Sequence, residues 1–181
     1  MEITKTTPPD SSVLRATENN YHYVDSFQGT LKAKHHDTTP KEIAKAFFSS
    51  EPKWITNLFS LRNTIVSVFG LKTPVKVNNR ERILNNFTCD PGEQIGLFKV
   101  INKTDSEIIL GEDDKHLNFR VSMLIEPYKK KSQKRKLIIT TTVSFHNWLG
   151  RIYFLPVKPF HRLIVPTMLQ STIQNLAKQD N

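Results

Sequence analysis

The strongest constraint on the fold lies between Ile108 and Glu126. A short apolar run, Ile108 to Leu110, leads into Gly111 and the acidic residues Glu112, Asp113 and Asp114, a turn signal. The residues that follow alternate. Leu117, Phe119, Val121, Met123 and Ile125 point to one side, and His116, Asn118, Arg120, Ser122 and Glu126 to the other. Such a period belongs to a strand with one buried face. Leu137, Ile139, Thr141, Val143 and Phe145 repeat the pattern, with Thr140, Thr142, Ser144 and His146 opposite. Strands are therefore expected at 95–101, 107–111, 116–126 and 137–146, joined as a meander of hairpins. A turn centred near Lys131 sets His116 opposite His146 and Arg120 opposite Thr142. Only even slips of that register are allowed, because an odd slip turns the apolar set to the wrong face.

The remaining elements follow from local signals. Tyr21 to Leu31 reads as a first strand, which Gly29 ends or bulges. Thr39-Pro40-Lys41-Glu42 is a helix start with a capping box and proline at the first helical position. Ile43, Ala46 and Phe47 form its apolar stripe. A second helix is expected over Trp54, Leu58, Leu61, Ile65 and Val68, closed by Gly70. Residues 72–92 are ambiguous between strand and helix. From Asn147 onward the pattern is helical but interrupted by Pro156, Pro159 and Pro166. It suggests a short helix, then a longer one beginning at Pro159 and kinked at Pro166.

Chain-wide numbers bound the class. The 181 residues suit one domain, with residues 1–16 as an N-terminal arm and 17–181 as the folded unit. No apolar run approaches the ~20 residues needed to span a bilayer, and the N-terminus has no apolar signal region. The single cysteine, Cys89, rules out an intrachain disulfide, which fits a reducing compartment; the cytoplasm is expected. Of the net charge of +9, six come from Lys129, Lys130, Lys131, Lys134, Arg135 and Lys136, so the rest of the chain carries only +3. No aromatic residue interleaves with that run, so it reads as a charged hairpin loop and not as a nucleic-acid site.

Strand, two short helices, antiparallel strands and a long C-terminal helix make an α+β layout with helices gathered on one face of a curved sheet. Pro8-Pro9-Asp10-Ser11, Phe69-Gly70-Leu71, Ile95-Gly96-Leu97-Phe98-Lys99-Val100 and Leu110-Gly111-Glu112-Asp113-Asp114-Lys115-His116-Leu117-Asn118-Phe119-Arg120 carry a closer likeness. So do Thr140-Thr141-Thr142-Val143, His146-Asn147, Leu149-Gly150-Arg151 and Pro159-Phe160-His161-Arg162-Leu163-Ile164-Val165. These blocks resemble the bacterial domain of unknown function 2867, and the layout resembles the START and birch-pollen-allergen-like (SRPBCC) superfamily. The resemblance implies a helix-grip fold, in which a curved antiparallel sheet wraps around the C-terminal helix and encloses an apolar cavity. The family is similar in places to domains fused behind nucleotide-binding epimerase-like domains, which implies such a protein as a partner. It implies no activity and no cofactor.

The expected function is binding of a small apolar or amphipathic molecule in that cavity. Phe119, Val121, Met123, Ile139, Thr141, Val143, Phe160, Ile164 and Met168 are the expected lining. An enzyme of cyclase, dehydratase or hydrolase type on the same scaffold is the alternative. His116, Arg120 and His146 are its candidate acid–base residues, although alternation places them on the polar face of the sheet. A third reading is an accessory protein that docks through an apolar area around Trp148, Tyr153 and Phe154. Arg151, Lys158, His161 and Arg162 are candidates for holding an anionic group; solvation, or a salt bridge from Arg162 to the Glu112–Asp114 turn, is their structural use. The acidic turn and His35-His36-Asp37 lack metal-ligand spacing, so no metal is expected. No phosphate loop, nucleophile motif or cysteine pair is present.

Overall fold

In the computed structural model the described residues are 2–15, 21–32, 38–50, 84–126 and 134–179. The expected second helix, the basic residues 129–133 and the His35-His36-Asp37 loop lie outside them. Seven antiparallel strands form one curved sheet in the order β1-β2-β7-β6-β5-β4-β3. They are β1 (Thr4–Thr6), β2 (Tyr23–Lys32), β3 (Gln94–Ile95), β4 (Phe98–Lys103), β5 (Glu107–Asp113), β6 (Leu117–Ile125) and β7 (Lys134–Phe145). Among the described residues two helices of ten residues or more, α1 (Pro40–Ser49) and α2 (Trp148–Gln179), pack with the sheet in an α+β fold. No described helix is long and apolar enough to cross a membrane.

Register agrees with the alternation. Arg120 lies opposite Thr142, and the His146 amide donates to the His116 carbonyl at 2.9 Å. Val121, Met123, Ile125, Leu137 and Ile139 therefore share the inner face, where they meet Val165, Met168, Leu169 and Ile173 of α2 and Phe47 and Phe48 of α1. Thr39 caps α1 as its sequence predicts: Oγ1 accepts from the Glu42 amide at 3.3 Å and the Glu42 carboxylate accepts from the Thr39 amide at 2.8 Å.

Both glycines expected to break strands lie inside them. Gly29 faces α2, and a Cβ there would sit 2.5 Å from Ile173 Cδ1 and 2.7 Å from Ile3 Cδ1. Its bare backbone lets the helix cross close to β2. Gly111 is paired with Arg120, whose side chain lies across it; the turn itself falls beyond Asp113. The tail is one helix and not two. Proline at 156, 159 and 166 frees the carbonyls of Ile152, Leu155 and Arg162, all exposed residues, so water can satisfy what the missing amides leave.

Residues 2–15 do more than trail from the domain. β1 extends the edge of β2, and residues 9–15 cross to the outer face. There Glu107, only 1% exposed, accepts from the Ser12 hydroxyl at 2.5 Å, from the Val13 amide at 2.8 Å and from the Ser122 hydroxyl.

Candidate functional site

The inner face of β2 reads Tyr23, Asp25, Phe27, Gly29, so one carboxylate interrupts an otherwise apolar row. Asp25 lies opposite Thr141 of β7, and Thr141 opposite Val121 of β6. α2 covers this position with His161. One and two turns before it, Val157 and Phe154 pack with Leu117 and Val143; one turn after it, Ile164 and Val165 join the main core. A polar group thus sits between two apolar clusters, with Phe119 touching both.

Its geometry is specific. Tyr23 donates its hydroxyl to Asp25 Oδ2 at 2.5 Å, and His161 Nδ1 approaches the same oxygen at 3.2 Å. A carboxylate oxygen accepts, so Nδ1 carries the proton and Nε2 is the ring nitrogen left over. Asp25 is 5% exposed and Thr141 3%. Asp25 Oδ1 and Thr141 Oγ1 are nevertheless without any hydrogen-bond partner. Two unsatisfied polar atoms on paired neighbouring residues of the inner face are costly; a third unpartnered hydroxyl, Thr142 Oγ1, lies on the outer face. The Tyr23 ring stands edge-on to Phe154 at 4.8 Å and to His161 at 6.1 Å, with Lys158 Nζ 5.5 Å from its centroid. Burial raises the phenol well above its usual range, the bond to Asp25 adds to this, and the Arg162 guanidinium opposes it. Tyr23 therefore remains a hydrogen-bond donor at every physiological pH.

The residues chosen from sequence divide into three groups. Thr141, His161 and Arg162 come together around Tyr23 and Asp25. Val121, Met123, Ile139, Val143 and Met168 are buried inner-face or α2 residues, and Phe119 and Ile164 are partly buried beside them. Phe160 is the exception. It is 39% exposed and belongs to neither buried cluster. Arg151 lies roughly 15 Å along the helix from His161, from the rise per residue, and places its guanidinium over the Phe145 ring.

His116, Arg120 and His146 take structural roles. His116 Nδ1 and the Asn147 amide lie within hydrogen-bond distance, and Asn147 Oδ1 accepts from the Gly150 amide at 3.2 Å, capping α2. His146 Nε2 contacts Asn118 Oδ1 at 2.8 Å. Arg120 lies on the outer face and donates to Asp113 Oδ1 at 2.6 Å and to the Phe119 carbonyl at 2.9 Å. The acidic turn is thus bridged by Arg120, where the sequence suggested Arg162. Of the expected docking patch, Trp148 is 64% exposed, Tyr153 is half-buried and Phe154 is buried. Among the described residues no group of three His, Cys, Asp or Glu side chains is placed to hold a metal.

Tyr23 and Asp25 escaped the sequence reading. The signal was present: an aspartate at an inward position of a strand, with aromatic residues two positions away on both sides.

No curated protein and no solved structure matches the chain. The family model described as a protein of unknown function (DUF2867) matches residues 18–168. That span includes β2 with its Asp25, the whole meander and α2 as far as Met168, and the chain belongs to the DUF2867 family.

Proposed function

We propose that the protein binds a small amphipathic molecule between the inner face of the sheet and α2, and holds its polar end at Asp25 and Thr141. The observation that carries this reading is the pair of buried, unpartnered oxygens, Asp25 Oδ1 and Thr141 Oγ1. One needs a donor, and the other can give a proton. A hydroxyl group on the ligand satisfies both at once, donating to the carboxylate and accepting from the threonine. Val121, Val143 and Phe119 offer apolar surface on the β6 and β7 side for the rest of the molecule. On this reading the sheet and helix form a helix-grip domain of the SRPBCC type, and the lone buried Cys89 suits the cytoplasm.

The test pairs native mass spectrometry of protein purified from its own host with titration of long-chain alcohols against their methyl ethers. A co-purified small molecule is expected. An alcohol should bind at least about tenfold tighter than its ether, because only the alcohol can donate to a buried carboxylate. Thr141→Val should weaken both probes, since either oxygen can accept from the threonine, and leave the preference for the alcohol, which comes from Asp25. A protein that carries no small molecule and binds neither probe sinks the proposal.

The Asp25–His161 contact favours a second reading, in which the same site moves a proton. Asp25 fixes the Nδ1–H tautomer, and Nε2, on the opposite side of the ring, then serves as the base toward a second group of the bound molecule. Under that reading His161→Gln abolishes turnover of a bound substrate while leaving its affinity nearly intact.

A further inference from the structure

We propose that the outer face of the first half of α2 is a docking surface for an anionic lipid bilayer. Trp148, Ile152, Leu155, Pro159 and Leu163 recur in steps of four, three, four and four, so they form one stripe along an unbroken helix. All five are exposed, and three large ones strongly so: Trp148 by 64%, Leu155 by 68% and Leu163 by 62%. The stripe is about 22 Å long, from the rise per residue. Scattered exposed apolar residues need no explanation, but a continuous row of this kind marks an interaction site.

Charge selects the occupant. Arg151, Lys158 and Arg162 run in steps of seven and four along the flank between the apolar stripe and the sheet, where their cationic heads lie near Phe145 and Tyr23. The helix from Trp148 to Gln179 contains no aspartate or glutamate at all. A large apolar face bordered by cations and free of carboxylates is the pattern of a helix lying in a lipid interface, with Trp at the headgroup level. The whole chain, at +9, is drawn toward the same surface. A second copy of this chain would set two cationic rows against each other, and a protein partner would have to supply an acidic groove.

The experiment is flotation of the full chain with vesicles of phosphatidylcholine alone or mixed with phosphatidylglycerol. Binding to the mixed vesicles is expected, weakened by salt, with much less on phosphatidylcholine. Leu155→Ser should lower partitioning about tenfold and Arg151→Gln about fivefold. Leu155→Ser should melt like the parent, because its side chain is exposed, and Arg151→Gln should lose only the small contribution of an exposed contact with Phe145. Four results overturn the proposal: no flotation of the parent chain at low salt; partitioning unchanged in both variants; a concentration-dependent dimer that Leu155→Ser dissociates; or a melting temperature that Leu155→Ser lowers by several degrees, which would mean the chain itself covers the stripe.

Discussion

At the scale of the residue, three successive threonines on β7 have different roles. Thr140 Oγ1 is paired with Ser26 Oγ at 2.8 Å on the outer face, whereas Thr141 Oγ1 on the inner face and Thr142 Oγ1 on the outer face have no partner. Removing a satisfied hydroxyl and removing an orphaned one have opposite consequences. Thr140→Val should destabilise the ligand-free protein by about 1 kcal/mol, and Thr141→Val should stabilise it by a similar amount. Urea denaturation of both variants and the parent measures the contrast. If Thr141→Val both stabilises and weakens ligand binding, the hydroxyl is kept for function at a cost in stability. Thr141 was legible in the sequence because its strand alternates. Asp25 was not, because an aspartate in a strand pattern reads as an outward or edge residue until the partner above it is known. Here the partner is His161, 136 residues further along the chain, and no local signal joins them.

At the scale of the element, α2 shows where reading by punctuation fails. Three prolines suggest a break, yet the helix runs through them, and the residues whose carbonyls they free are all exposed. Conversely, its true start depends on a cap that the pattern conceals. Asn147 accepts from the Gly150 amide and holds His116 of the β5–β6 turn. Two substitutions test this junction. Asn147→Ala removes the cap and should cost about 1–2 kcal/mol. Gly150→Ala should cost more, since its Cβ would lie 2.2 Å from the His116 carbonyl oxygen, and a backbone atom tied into the sheet cannot move aside as a side chain can. The loss in Gly150→Ala should appear in amide exchange as early opening of the first turns of α2, with the β6–β7 pairing retained. The meander and α1 were legible because their periodicity and capping are local. The polar histidines invite a chemical reading because their residue type is versatile; in the structure His116 holds Asn147 at the start of α2, and His146 is paired with Asn118 of β6.

At the scale of the whole molecule, pH and the N-terminus act on the same fold from different ends. Burial lifts the Cys89 thiol from its ordinary 9 to about 11 and lifts Tyr23 above its usual range as well. Both groups are neutral below their pKa, so folding gains from them fully below pH 9, and the gain is lost as pH rises through 11 and beyond. Denaturation midpoints should therefore hold level up to about pH 9 and fall above it, with slow Cys89 alkylation at neutral pH reporting the same protonated thiol. The N-terminus works through Glu107. This carboxylate has no cation beside it among the described residues, and it is held by the Ser12 and Ser122 hydroxyls and the Val13 amide. It is the point where residues 9–15 are fixed to the back of the sheet. Glu107→Ala leaves the two buried serine hydroxyls and the part-buried Val13 amide without this acceptor, and should cost about 2–3 kcal/mol. Glu107→Gln keeps one acceptor oxygen and should cost less. The decisive readout is local. In Glu107→Ala, limited proteolysis should cut near Ser12 long before the sheet opens, while α2 and the Asp25 site stay protected; simultaneous loss of all three would mean that the segment folds with the core and is not latched onto it.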